Sequence, residues 1–451
     1  MPEIAIDSGH TAWLLVSSAL VLLMTPGLAF FYGGMTKSKG ILNMMMMSFS
    51  SIAIVSLLWV FYGFSVAFGA SNGFFGDITQ YAFMTQDLTG AWSEAVPVPT
   101  FVFAVFQMMF AIITVALISG ALADRAKFAG WIVYAVAWAT IVYFPVANWV
   151  WGGGWIFEMG AFDFAGGTAV HINAGAAALG LAIILRKRNG WPSGAYKPHN
   201  VPTIALGAGL LWFGWFGFNA GSEGAADAIA GVAFLNTQVA TAAAVIGWLV
   251  VEWIRDGKPT LLGASSGAIA GLVAITPACA YVEPIGAIGL GIVTGAICAL
   301  AVGLKYKLGF DDSLDVVGVH MVGGLIGALS IGLIATQKFY GEAGPQGLFY
   351  GGGVEQLGKQ AAGAFAVLAY SLIISIVLGL AIDKTIGMTV SSEAETEGVD
   401  QVEHAESAYD FSAPTGGGGA FALAGIAPAS GTPAAPAAPA TSATVDEKVA
   451  G

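Results

Sequence analysis

Two histidines stand at matched positions in this chain. His171 closes the run Asp163-Phe-Ala-Gly-Gly-Thr-Ala-Val-His171, and His320 closes Asp312-Ser-Leu-Asp-Val-Val-Gly-Val-His320, so each follows an aspartate after seven intervening residues. Both lie in strongly apolar surroundings. A neutral imidazole offers one donor and one acceptor nitrogen, which suits it to binding a small polar molecule or passing a proton. An ionisable residue within a membrane segment is costly and by default marks function. At ~1.5 Å per residue, eight helical residues would set each imidazole about 12 Å from its aspartate, well inside a core ~30 Å thick. If the two runs are copies in inverted halves, the rings meet near the midplane. The plainer reading is two separate histidines, each bonded to a neighbouring helix.

The elements that must position these rings are membrane helices. Apolar residues make up 57% of the chain and charged residues only 10%, against about 25% charged in an ordinary soluble domain. Apolar runs long enough to span a bilayer recur eleven times, approximately at Thr11–Gly34, Ile41–Gly69, Val98–Leu122, Phe128–Trp151, Gly167–Leu185, Pro202–Gly221, Ile229–Ile254, Leu261–Val282, Ile285–Leu304, Leu314–Gln337 and Gln360–Ile382. Short cytoplasmic loops carry the Lys and Arg excess. Lys37, Lys39, Arg125, Lys127, Arg186, Lys187, Arg188, Lys197, Arg255, Lys258, Lys305 and Lys307 all fall in odd-numbered loops, Lys384 follows the last run, and only Lys338 and Lys359 fall on the other side. The expectation is an all-α membrane protein of eleven transmembrane helices, amino terminus outside and carboxyl terminus inside.

The first ten residues contain Glu3 and Asp7 and no basic stretch, so helix one is read as retained rather than cleaved. Cys279 and Cys298 fall in membrane segments, show no metal-ligand spacing and are read as small core residues. The formal charge of -12 is concentrated at the end: the chain after Lys384 holds nine acidic residues against Lys448. Residues 385–413 read as an acidic cytosolic tail, and 414–451, rich in Gly, Ala and Pro, as a segment unable to build a core. Residues 1–384 form the membrane domain. Within it, a fainter echo links Gly27–Gly34 with Gly214–Gly221, implying an inverted five-helix repeat plus one extra helix. In that plan the substrate site lies at the interface of the halves.

The run ending at His171, the run Thr25-Pro-Gly-Leu-Ala-Phe-Phe-Tyr-Gly-Gly34 and the run Gly214-Trp-Phe-Gly-Phe-Asn-Ala-Gly-Ser222 closely resemble the ammonium transporter family (Amt/Mep/Rh), in its bacterial Amt branch. The resemblance covers nearly all of Thr11 to Tyr409. It implies a homotrimer with one pore per subunit. It also implies an outer cation site at Trp151, Ser222, Phe110 and Phe106, a stacked gate of Phe110 and Phe218, and pore histidines His171 and His320 sharing a hydrogen bond. Asp163 resembles the family's essential aspartate, and its place before a helix also suits capping of backbone N–H groups. Thr276 matches a family motif and is assigned to structure. Without the family pattern Trp151 reads as an interfacial belt residue, and the phenylalanines as helix packing. The tail run with Glu397, Asp400, His404, Glu406 and Tyr409 is similar to a family motif that docks under neighbouring subunits. There Ala405 stands where relatives usually have Gly, which places the turn in question. A PII-type signalling protein is a candidate partner at this face; the other reading is an ordinary solvated acidic tail.

Ammonium rather than potassium follows from three features: no Thr-Val-Gly-Tyr-Gly-type filter, no evident carboxylate along the mid-membrane path, and a removable proton. The function expected is uptake of ammonium, with methylammonium as analogue: recruitment outside, deprotonation, passage of ammonia past the Phe gate and His pair, and reprotonation inside, with net charge movement. The alternatives are an electroneutral ammonia channel, a membrane ammonium sensor, which would need an output domain, or a coupled transporter of another solute, which would need broken helices and mid-membrane carboxylates. No enzyme activity, cofactor, metal site or nucleic-acid partner is expected.

Overall fold

The structure, a computed structural model, describes residues 4–194 and 196–409. One compact unit runs from Met1 to Ala408 and a second from Tyr409 to Gly451, of which only Tyr409 is described. The Gly/Ala/Pro-rich end at 414–451 lies outside the described residues.

Among the described residues ten helices are long and apolar enough to cross a membrane: α1 (Ser8–Met35), α2 (Ile41–Phe68), α3 (Thr100–Leu122), α4 (Phe128–Met159), α5 (Gly167–Ile184), α6 (Val201–Glu223), α7 (Ala228–Asp256), α9 (Pro284–Leu308), α10 (Val317–Ile334) and α11 (Glu355–Asp383). Between α7 and α9 lies a shorter apolar helix, α8 (Leu261–Ile275). The eighth predicted segment is thereby corrected. It was expected to be helical to Val282, yet regular helix stops at Ile275 and the chain continues in turns. Pro277 has no N–H to give the ladder and its ring opposes a continuing helix, a break that a continuous apolar run conceals. At 15 residues α8 is about 22 Å long, shorter than the other spans.

Helix starts are fixed by local chemistry. The side chains of Asp7, Asn200, Asp227 and Thr260 each accept a backbone N–H in the first turn of α1, α6, α7 and α8. Left-handed Gly257 closes α7 and left-handed Gly309 follows α9. The echo between Gly27–Gly34 and Gly214–Gly221 corresponds to direct packing of α1 on α6. A Cβ on Gly214 would lie 2.6 Å from the Leu20 carbonyl, and one on Gly34 2.8 Å from that of Asn200, so small residues let these two backbones touch.

Four spans contain a wide π turn, which hydropathy cannot reveal. They lie at Trp59–Gly63, Ala139–Tyr143, Gly167–Ile172 and Val317–Met321. The last two carry His171 and His320.

Beyond α11 the chain turns back onto the body. Lys127 N–H donates to Met388 O and Val390 N–H to Arg125 O. Two short helices follow, α12 (Ser392–Glu397) and α13 (Val399–His404).

Candidate functional site

Asp163 and Asp312 begin two segments that agree position by position. The third residue after each has left-handed backbone, Gly166 with φ 115° and Asp315 with φ 64°. Asp163 accepts from four successive amides, those of Gly166, Gly167, Thr168 and Ala169, at 2.6–3.0 Å. Asp312 accepts from Val316 and Val317 at 3.1 and 2.8 Å. Each carboxylate thus satisfies the orphan amides that open a helix. Burial pushes the Asp163 carboxyl up and the four amides pull it back. The expected 12 Å rise from aspartate to histidine needs correction, because helix begins only at Gly167 and Val317; the carboxylates cap these helices from outside.

Twelve residues after each aspartate stands a glycine, and the two make reciprocal contacts. A Cβ on Gly175 of α5 would fall 2.5 Å from the Met321 nitrogen of α10, and one on Gly324 of α10 would fall 3.1 Å from the Ile172 nitrogen of α5. The backbones therefore cross in contact, and the rings one turn earlier meet: His320 Nδ1 lies 3.2 Å from His171 Nδ1, with ring centroids 5.3 Å apart. One ring donates and the other accepts. Both are buried, and His171 Nε2 has no hydrogen-bond partner among the described residues.

One face of α6 builds the wall beside this pair. Trp215, Phe218 and Ser222 are spaced i, i+3, i+7 and so share a face. Trp215 stacks on His171 at 5.3 Å and donates its Nε1 hydrogen to Thr276 Oγ1 at 2.8 Å. Thr276, assigned to structure, therefore orients the indole that backs a histidine. Trp215 is not among the site residues expected from the sequence; its position three residues before Phe218, on the same helix face, is the signal that marks it.

Phe110 of α3 and Phe218 of α6 stack at 4.2 Å with a 26° interplanar angle. Both are fully buried. On the other side Phe110 meets Phe106 edge-on at 4.9 Å and Trp151 at 6.0 Å. Trp151 is held by donating Nε1–H to the Asp163 carbonyl at 2.8 Å, so Asp163 ties the indole to the helix that carries His171. Ser222 Oγ donates to Phe218 O at 2.7 Å, which leaves its lone pairs available to accept.

Three cavities lie in sequence along this line. The first, about 540 Å³, is lined by Trp151, Asp163, Ser222, Glu223, Tyr281 and Tyr340 among others. The second, about 10 Å³, touches Phe218, Trp215, His171 and His320. The third, also about 10 Å³, touches His320, Tyr32, Ser266 and Asp315. A volume near 10 Å³ holds about one water-sized molecule.

At the opposite end from the large cavity, tail residues bond to loops of the same chain. Asp400 Oδ1 and Oδ2 accept from the amides of Asn43 and Leu42 at 2.8 and 3.0 Å, capping α2, whose own N-cap Gly40 has no side chain to do so. Burial pushes the Asp400 carboxyl up and those amides oppose it. His404 Nε2 meets Asn43 Oδ1 at 2.9 Å, and the Glu397 carbonyl accepts from Lys39 Nζ. Glu406 lies exposed beyond the turn, and Tyr409 begins the second unit. Ala405 adopts the left-handed conformation, φ 53°, so the turn forms on an alanine. Two residues passed over in the sequence join this contact. Glu395 pairs with Arg186 at 2.8 Å and Lys37 at 3.3 Å, and Glu403 accepts from the Phe128 amide at 2.8 Å, capping α4. Acidic residues are common in a polar tail, and only the facing helix ends distinguish these two.

The sequence model of a family described as Ammonium Transporter Family matches residues 12–409. An ammonium transporter of Mycobacterium tuberculosis is 56% identical over 438 residues, covering 91% of this chain and 92% of that one. The crystal structure of Candida albicans Mep2 superposes with a TM-score of 0.82 at 35% identity, covering 90% of this chain and 93% of that chain. A solved structure titled Sensor Amt Protein gives 0.81 at 30% identity, covering 88% and 98%. A match over nearly the whole chain, at this identity and on this fold, makes the chain a multi-pass membrane protein that belongs to the ammonium transporter family.

Proposed function

We propose that this chain carries ammonium across the cytoplasmic membrane into the cell by stripping its proton at the large outer cavity and passing ammonia along the line of Phe110, Phe218, His171 and His320. The observation that carries this reading is the His171–His320 contact between two cavities of about 10 Å³ each, directly beneath the stacked phenylalanines. Such spaces fit ammonia and exclude a hydrated ion. Bringing an ion into a low-dielectric interior carries an idealised cost of order 20 kcal/mol, whereas a neutral polar group costs about 2 to 7. Loss of one proton, from a group titrating about two units above neutrality, costs only about 3 kcal/mol. Potassium has no such route.

In this reading Trp151 offers an indole face to the cation, Ser222 accepts one N–H, and Phe106 and Phe110 complete the site. The histidine nitrogens replace the hydrogen bonds ammonia leaves behind. No covalent bond of the substrate other than N–H changes, so the protein is a transporter and not an enzyme. We count α8 as the eleventh crossing, with the amino terminus outside. Residues 385–413 serve as a regulatory tail and 414–451 as a core-free end. Three copies assemble in the lipid bilayer, and a PII-type signalling protein is the candidate partner at the cytoplasmic face. Net movement of one positive charge per ammonia lets the membrane potential drive uptake, at about 2.3 kcal/mol per 100 mV.

The test is uptake of labelled methylammonium and an ammonium-evoked current in liposomes holding the purified full chain. Uptake with inward positive current is expected; uptake without current would overturn the charge movement and leave an electroneutral ammonia channel, and no uptake of methylammonium or ammonium would overturn the transport reading itself. A sensor reading takes its support from the likeness to the Sensor Amt Protein. The greater identity to a relative named as a transporter favours transport.

A further inference from the structure

We propose that Glu223 is the charged recruitment residue of the outer cavity, adding to the neutral Trp151 and Ser222 the negative charge that draws ammonium in from dilute solution. Glu223 follows Ser222 in the chain, in the 3-10 turn that ends α6, is half-buried and lines the same cavity of about 540 Å³. Its side chain is held by a hydrogen bond from the Tyr340 hydroxyl. Burial and the adjoining carboxylate push that phenol well up, so Tyr340 stays uncharged and donates; burial pushes the Glu223 carboxyl up to about 7 against the pull of that hydrogen bond, so its charge develops as pH rises through neutrality.

Two carboxylates line this cavity, Asp163 and Glu223, and others on this side of the chain are engaged elsewhere. Asp163 is spent on four amides, Asp227 caps α7, Glu283 pairs with Lys338 and Glu355 with Lys359. Those two lysines are the only Lys or Arg expected on this face. Among the described residues no Lys, Arg or His forms an ion pair with Glu223. The field of its ionised form is therefore uncompensated, and a concave wall of low dielectric focuses it into the cavity, so the effect is read above neutral pH, where the carboxylate is charged. The aromatic rings of Tyr281 and Phe164, at 5.3 and 6.4 Å from Tyr340, provide that wall. An indole and a hydroxyl would bind a cation but exert little pull at a distance; a carboxylate supplies both long-range attraction and discrimination against neutral solutes.

This inference rests on the transport reading above. It is tested with ammonium-evoked currents and methylammonium uptake in liposomes containing the full chain, at about 10 mM and about 150 mM sodium chloride, where the screening length falls from ~30 Å to ~8 Å. Glu223→Gln should raise the half-saturating concentration roughly tenfold at low salt, the scale of one partly screened unit charge a few ångströms away, with the maximal rate within about twofold of the parent. Glu223→Asp should restore most of the affinity. Tyr340→Phe, which removes the tie but keeps the charge, should change half-saturation far less than Glu223→Gln. The parent's half-saturation should rise with salt, and that of Glu223→Gln should not. An unchanged half-saturation in Glu223→Gln, or a loss of maximal rate shared equally with Tyr340→Phe, would overturn the proposal and make the pair a structural tie. If Glu223→Gln fails to assemble, a parent half-saturation independent of salt overturns it alone. Absence of transport by the parent would instead sink the transport reading.

Discussion

The two histidine-bearing segments share one plan but differ in what surrounds it. In each, an aspartate caps the helix, a left-handed residue follows at +3, a histidine in a π turn at +8 and a glycine at +12. At the outer copy, Asp163 binds four amides and its carbonyl holds Trp151. At the inner copy Asp312 binds two, and Lys305 bridges the Asp312 carbonyl and the Asp315 carboxylate. The copy at Asp163 is thus coupled to Trp151 and the large cavity, and the copy at Asp312 to a fixed ion pair at the other end. Repetition explains why the two rings meet. The divergence gives the two ends of a symmetric frame different chemistry.

The most severe way to break this comparison is to remove what the copies share. His171→Ala together with His320→Ala should abolish ammonia conduction or its selectivity while assembly survives, read as methylammonium uptake in liposomes. A correctly assembled double variant as fast and selective as the parent would show that the matched rings are packing residues.

The crossing itself can be probed unequally. Gly175→Ala forces a Cβ to 2.5 Å from backbone nitrogen, whereas Gly324→Ala meets its neighbours at 3.0–3.1 Å. Overpacking costs about 1–3 kcal/mol, so Gly175→Ala should lie near ~3 kcal/mol and Gly324→Ala near ~1. Thermal denaturation in detergent would rank them, and the reverse order would refute the asymmetry.

Trp151→Leu tests the feature that only the outer copy has. Loss of a desolvated cation–π contact is worth up to about 2 kcal/mol, or roughly thirtyfold in half-saturation. An unaltered half-saturation would return Trp151 to the interfacial belt.

The smallest effect concerns left-handed backbone. The outer copy uses Gly166 and the inner copy Asp315, types that accept positive φ, whereas the tail uses Ala405. Ala405→Gly should strengthen tail docking by about 1 kcal/mol, measured as slower proteolysis of the tail. Unchanged or faster cleavage would show that the turn carries no strain.

Much of this was legible early because membrane proteins advertise themselves through long apolar runs. Ten of the eleven predicted segments correspond to long helices, and the aspartate–histidine spacing marked the paired segments before their contact was visible. The failure at Leu261–Val282 has a definite cause: hydropathy integrates side-chain polarity and is blind to a backbone break at Pro277. The π turns escaped for the same reason, since an extra residue per turn changes no composition. Glu223, Glu395 and Glu403 escaped because a carboxylate acquires meaning from what faces it.

By itself, then, the sequence determined the solvent the chain lives in, the family it belongs to and the residue types available, because these depend on composition and on order along the chain. Tertiary structure alone decided that two glycines twelve residues after their aspartates cross backbone to backbone, that the histidine nitrogens consequently stand 3.2 Å apart, and that Tyr340, 117 positions beyond Glu223, bonds to it. Contacts between residues so far apart in the chain arise from how helices pack, and packing is fixed by surfaces that no single segment contains.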